Sequence, residues 1–167
     1  IDTAKNTFTI SLPAQHHYRI ETKVPHYVPH HQSIGVRTLD STMPLRVTTK
    51  MFDTRRPLAS IYFDRGVAQL SDDNLTLLTE LVKRYDIRQI AFDVVGYTDV
   101  IGAKPLNATL SEQRAESVVA HLVLLGLRQD RVHAIGRGIE NPGTLLGLKE
   151  NPQSRRVDIF PTEKLGR

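Results

Sequence analysis

Beyond Pro57 the apolar positions fall into short runs and helical stripes. Ala59–Asp64 (ASIYFD) reads as a buried strand. Ser71 stands as an N-cap, with Asp72 and Asp73 in the first turn, where the helix dipole favours acids. Leu75, Leu78 and Val82 follow at helical spacing, and Leu77 and Leu81 widen the stripe. Arg88–Val95 (RQIAFDVV) predicts a second strand, ended by Gly96. Thr98 to Pro105 reads as a loop containing Gly102. A long helix is predicted from about Leu110 to Leu125, on a stripe of Leu110, Val118, Leu122 and Leu125, with Gly126 as its stop. Val132–Gly136 is a third short strand, and Arg156–Phe160 (RVDIF) alternates as the last.

The first third has a different pattern. Thr7–Leu12 (TFTISL) and Leu45–Phe52 (LRVTTKMF) alternate and are rich in β-branched residues. Pro25, Pro29 and Pro44 interrupt any helix between them. Extended pieces and coil are expected there, with a mobile extreme N-terminus. The whole order predicts an α+β fold: a β-α-β-α-β-β domain whose helices pack on a small mixed sheet, preceded by a mostly extended segment.

Composition and charge sharpen this division. The 167 residues are 40% apolar and 24% charged, enough to bury a core. No run approaches the roughly 18 apolar residues of a membrane-spanning helix. Cysteine is absent, which excludes a disulfide framework, a thiolate metal site, a cysteine nucleophile and a lipidated cysteine on the chain as it stands. A start at Ile1, not Met, predicts a processed or trimmed chain whose targeting signal or anchor lay upstream.

The formal charge of +4 first suggests nucleic acid. Residues 1–57, however, hold eight Lys/Arg against four Asp/Glu, and residues 58–167 hold fourteen of each. The surplus thus belongs to a leader that also carries five of the seven histidines and five of the nine prolines. Two regions are expected: 1–57, a basic, His- and Pro-rich docking segment or linker, and 58–167, a neutral folded domain. Nucleic acid is not expected as a partner. His26 and His30 have a four-residue spacing, but the intervening Pro29 disfavours a helical ligand pair, so no metal is expected.

The chemistry concentrates in four blocks. They are Gly96-Tyr-Thr98-Asp99 with Gly102; Asn107-Ala-Thr-Leu-Ser111-Glu-Gln-Arg114-Ala115; Gly136-Arg-Gly138-Ile-Glu140-Asn-Pro142; and Arg155-Arg156-Val157. No nucleophile elbow, P-loop or zinc-protease signature accompanies them, and Gly136-Arg-Gly138 lacks the third glycine of a dinucleotide loop. Neither an enzyme nor a cofactor is expected.

In order and spacing the blocks resemble the OmpA-like peptidoglycan-binding domain family, which includes flagellar stator proteins and peptidoglycan-associated lipoproteins. The family pattern is roughly G-H-T-D-x-x-G, N-x-x-L-S-x-x-R-A, G-x-G-x-x-x-P and N-R-R-V, and the match covers about residues 58–162. Tyr97 stands where the pattern has His, and Ser154 where it has Asn. The resemblance implies a non-catalytic module in a Gram-negative periplasm, associated with the outer membrane, which binds diaminopimelate-containing stem peptides. The alternative is a structural subunit of a secretion or motility machine that uses the domain mainly for protein contacts. Other envelope proteins would dock through residues 1–57.

Diaminopimelate ends in an ammonium and a carboxylate on one carbon, so its site needs an acid beside a guanidinium. By resemblance Asp99 and Arg114 are that pair, Asn107 and Thr98 support it, and Arg155 or Arg156 adds a contact. From the residues alone, Asp99 and Arg114 could equally form a structural ion pair, and Asn107 could be a helix-start cap. Arg155 and Arg156 begin a strand, so their side chains should point to opposite faces.

Overall fold

The structure, a computed structural model, describes residues 13, 15–36, 51–84, 90–140 and 151–163. The expected strand at Thr7–Leu12 and most of the one at Leu45–Phe52 lie outside the described residues. Two compact units are present: Ile1–Pro25 with Pro29–Met51, and His26–Val28 with Phe52–Arg167.

In the first unit, β1 (His16–Thr22) pairs antiparallel with β2 (His30–Val36), placing Tyr18 opposite Ile34 and Ile20 opposite Gln32. Tyr18, Ile20 and Thr22 are half-buried while their neighbours are exposed, the two-residue period of a strand covered on one face. Glu21 pairs with Lys23 at 3.0 Å and lies 3.7 Å from the His31 imidazole. The hydrogen bond from Lys23 leads the causes that hold the Glu21 carboxyl below its ordinary value.

The second unit holds β3 (Ala59–Tyr62), α1 (Asp72–Arg84), β4 (Ala91–Thr98), α2 (Lys104–Leu124), β5 (Val132–Ile139) and β6 (Arg156–Thr162). Its sheet runs β3-β6-β4-β5. The α2 crossover makes β4 and β5 parallel, while β6 is antiparallel to both β3 and β4. This is the expected α+β architecture. Ser71 caps α1 as its sequence indicates, with Oγ accepting from the Asn74 N–H at 3.3 Å. Helix α2 begins at Lys104, earlier than expected, because a proline in the first helical turn sacrifices no hydrogen bond and Pro105 occupies that turn.

The core lies between the sheet and both helices. Ile61, Phe92, Val94, Val157 and Ile159 meet Leu78 and Leu81 of α1 and Ala115, Val118, Val119 and Leu122 of α2. At the end of the sheet nearest the motif blocks, α2 rests on backbone. A Cβ on Gly96 would lie 2.0 Å from the Ser111 carbonyl oxygen, and one on Gly136 would lie 2.8 Å from the Glu112 nitrogen. Only glycines at these positions let the helix approach so closely, and that approach brings Ser111 and Arg114 beside the ends of β4 and β5. Among the described residues no helix is long and apolar enough to cross a membrane.

Candidate functional site

The carboxyl end of β4, the start of α2 and the turn before β6 converge on Asp99. This residue follows the last position of β4 and is 5% exposed. One carboxylate oxygen accepts from the Ile101 N–H at 3.3 Å, shaping the turn that leads into α2. The other accepts from Arg155 Nη1 at 3.2 Å. Arg155 also donates through Nε to the Phe63 carbonyl at 3.3 Å, while its own carbonyl accepts from the Phe63 N–H at 2.8 Å.

Arg114 is fully buried. Its guanidinium donates to the carbonyls of Val67 (2.8 Å), Asp64 (2.8 Å) and Tyr97 (3.1 Å) and lies 5.2 Å from the centre of the Phe63 ring. Three of its five N–H donors thus tie the segment after β3 and the end of β4 to α2. Burial leads the effects that draw Arg114 below the ordinary arginine value; Asp99 opposes that shift and Arg155 adds to it. Asp99 is therefore electrostatically coupled to Arg114, but its ion pair is with Arg155.

Asn107 lies inside α2, since the helix N-cap is Ala103. Its side-chain amide donates to the carbonyls of Ile101 (3.2 Å) and Gly102 (3.4 Å), so it fastens the preceding loop instead of capping the helix start. Thr98 is 1% exposed, and its hydroxyl has no hydrogen-bond partner among the described residues. Its carbonyl accepts from the Glu140 N–H at 3.2 Å.

Arg155 and Arg156 point to different partners, as expected, although Arg155 closes the 3-10 turn before β6 and only Arg156 lies in the strand. Arg155 faces Asp99, whereas Arg156 binds both carboxylate oxygens of Glu140 (2.7 and 2.8 Å) and reaches Asp158 at 3.0 Å. The structure brings together Thr98, Asp99, Asn107, Arg114 and Arg155; Arg156 belongs to an adjoining cluster. Sequence reasoning gave no role to Ser111, whose buried hydroxyl donates to the Ala108 carbonyl and accepts from the Gly138 N–H, both at 2.8 Å. It also gave none to Glu140, though both residues lie inside the quoted blocks.

Residues of three of the four blocks thus lie together, with Glu140 of the remaining block in the adjoining cluster, and the profile of the OmpA family matches residues 62–156, more than half of the chain. The chain belongs to the OmpA family. It is 36% identical over 104 residues to "Probable lipoprotein YiaD" of Escherichia coli strain K12, covering 60% of this chain and 47% of that protein. It is 35% identical over 101 residues to "Outer membrane protein A" of Escherichia fergusonii, covering 59% and 40%. The chain therefore spans about half or less of the length of these curated relatives. Among solved structures, the peptidoglycan-associated lipoprotein from Burkholderia pseudomallei superposes with a TM-score of 0.55 at 30% identity, covering 62% of this chain and 89% of that one. The C-terminal domain of Helicobacter pylori MotB gives 0.54 at 20% identity, covering 64% and 85%, which is a likeness of fold. The residues matched by the OmpA family profile lie in the second unit, and β1 and β2 precede them.

Proposed function

We propose that this OmpA-family domain is a non-catalytic cell-wall module that binds peptidoglycan through the diaminopimelate of its stem peptides. The observation that carries the reading is the setting of Asp99: its carboxylate pairs with the Arg155 guanidinium and lies in the field of Arg114. An acid beside a guanidinium suits a ligand that brings both an ammonium and a carboxylate. The ligand ammonium takes Asp99, and its carboxylate takes Arg155, so one internal ion pair is exchanged for two with the ligand. Arg114 contributes its field and its remaining donors from below. Thr98 offers an unused hydroxyl, and Asn107 holds the loop over which the ligand lies. Membership of the OmpA family and likeness to a peptidoglycan-associated lipoprotein support the same reading.

The setting proposed is the Gram-negative periplasm at the outer membrane, in keeping with the names of the lipoprotein and outer-membrane relatives. Residues 1–57 are proposed as the segment that docks other envelope proteins, since they hold the surplus positive charge and a hairpin grouped apart from the OmpA-like unit. Titration calorimetry with soluble muropeptides tests the wall reading. Binding of the diaminopimelate form, with much weaker binding of a lysine form that lacks the terminal carboxylate, is expected. Equal affinity for both forms, or an Asp99→Ala/Arg114→Ala double variant that folds and binds undiminished, overturns it. If wall binding fails while envelope complexes assemble through residues 1–57, the domain is a structural subunit.

A further inference from the structure

We propose that Glu140 and Arg156 are positioning residues for Arg155, holding its guanidinium against Asp99 in the place where a ligand carboxylate is received. The inference rests on the wall-binding reading above. Its basis is that the Glu140 carboxylate binds the residues immediately before and after Arg155. Ser154 donates its hydroxyl to Glu140 Oε2 at 2.9 Å, and Arg156 donates to the same oxygen at 2.8 Å and to Oε1 at 2.7 Å.

The contacts close a circuit. Glu140 is fixed by its N–H to the Thr98 carbonyl, next in sequence to Asp99. From Glu140 the circuit passes to Ser154 and Arg156, between them to Arg155, and back to Asp99. A bidentate carboxylate–guanidinium pair fixes both distance and plane, so the backbone at Arg155 has little freedom to turn its side chain elsewhere. A long arginine side chain otherwise costs considerable rotamer entropy to hold in one geometry.

Further contacts tighten the clamp. Arg156 lies 4.8 Å from the centre of the Tyr97 ring, pairs with Asp158 and donates to the Gln153 carbonyl at 3.0 Å. Asp158 in turn accepts from the Ser60 hydroxyl at 2.6 Å, and the Asn151 amide donates to Ser154 Oγ at 3.1 Å. Tyr97 and Ser154 are the two positions at which the chain departs from the family pattern. Both belong to this clamp, where one supplies a ring for the guanidinium and the other a hydroxyl for Glu140.

The near-isosteric Glu140→Gln variant tests the role in the full chain, with thermal melting used to verify folding. Two readouts are needed: the Arg155 Nε–H resonance by NMR, and the affinity for a diaminopimelate muropeptide by calorimetry. The expected result is an Arg155 signal that moves toward that of a free arginine, together with an affinity reduced about tenfold. Arg156→Lys, which keeps the charge but loses the bidentate fork, should give the same pair of changes and serves as the second variant if Glu140→Gln does not fold. A folded variant with an unmoved Arg155 signal and unchanged affinity overturns the positioning role. Wild-type protein that binds no muropeptide overturns the wall reading instead, and the Arg155 signal then decides the positioning role alone.

Discussion

Arg155 donates to Asp99 across 3.2 Å with both side chains largely buried, 13% and 6% exposed. The pair joins residues 56 positions apart and holds the turn before β6 against the loop after β4. Removing one partner leaves a desolvated charge. Asp99→Asn should therefore destabilise the domain by about 3 kcal/mol and reduce muropeptide affinity at least tenfold. Urea unfolding and calorimetry on the same preparation measure both effects; full stability with lost binding would show that the pair serves the ligand alone.

Arg114 has a heavier structural task. Arg114→Met keeps much of the side-chain volume but leaves the carbonyls of Asp64, Val67 and Tyr97 without their donor. A cost of about 3–5 kcal/mol is expected. Arg114→Lys should recover little, because one ammonium on a flexible stem does not reproduce a planar fork directed at three oxygens. Chemical denaturation of the three proteins provides the comparison.

The contact of α2 with Gly96 gives a steric prediction. A methyl there would stand 2.0 Å from the Ser111 carbonyl oxygen, so the helix must withdraw or the strand must bend. Gly96→Ala should cost about 3 kcal/mol or more, within the range of severe overpacking. It should also disturb the amide resonances of Gly138, whose N–H is held by Ser111 Oγ.

The acid response should carry a contribution from Glu140. Its carboxyl is held below the ordinary value of 4.5, chiefly by the hydrogen bonds from Arg156. A depressed folded-state pKa adds stability that is fully present above the unfolded value and is lost as pH falls through the folded one. Wild type should therefore exceed Glu140→Gln in stability at neutral pH, and the gap should close as pH falls below about 4.5. Urea midpoints from pH 7 to pH 3 give the two curves. Parallel curves would show that Glu140 contributes no proton-linked stability.

Much of the second unit was legible because local signals and packing agree there. Ser71 with Asp72 and Asp73 marks the start of α1, and apolar runs mark β3, β4 and β6, although β4 continues through Gly96 to Thr98, where the sequence predicted its end, because Gly96 is paired on both sides in the sheet. The start of α2 was missed because Pro105 reads as punctuation in a sequence, whereas the first helical turn accepts it. The β1–β2 hairpin was blurred by histidines and flanking prolines, although Tyr18, Ile20 and Thr22 carry the strand period. At the site, the motif blocks nominated Thr98, Asp99, Asn107, Arg114 and the Arg155-Arg156 pair. Their partners were not legible. Arg114 binds carbonyls 17, 47 and 50 positions away, and only the antiparallel pairing of β6 with β4 brings Arg155 to Asp99.

Asn107, Ser111 and Arg114 lie four and three residues apart, a spacing that keeps them on one side of α2. That side is also the one pressed against the glycine backbone of β4 and β5. The helix thus has no separate face to give to ligand choice, and any change there is felt at once as a change in folding. Diversification of binding preference is left to the rim, at the exposed Ile101 and Ala103, where replacements do not unseat the helix. Variants selected for altered wall chemistry should accumulate on that rim and leave α2 untouched.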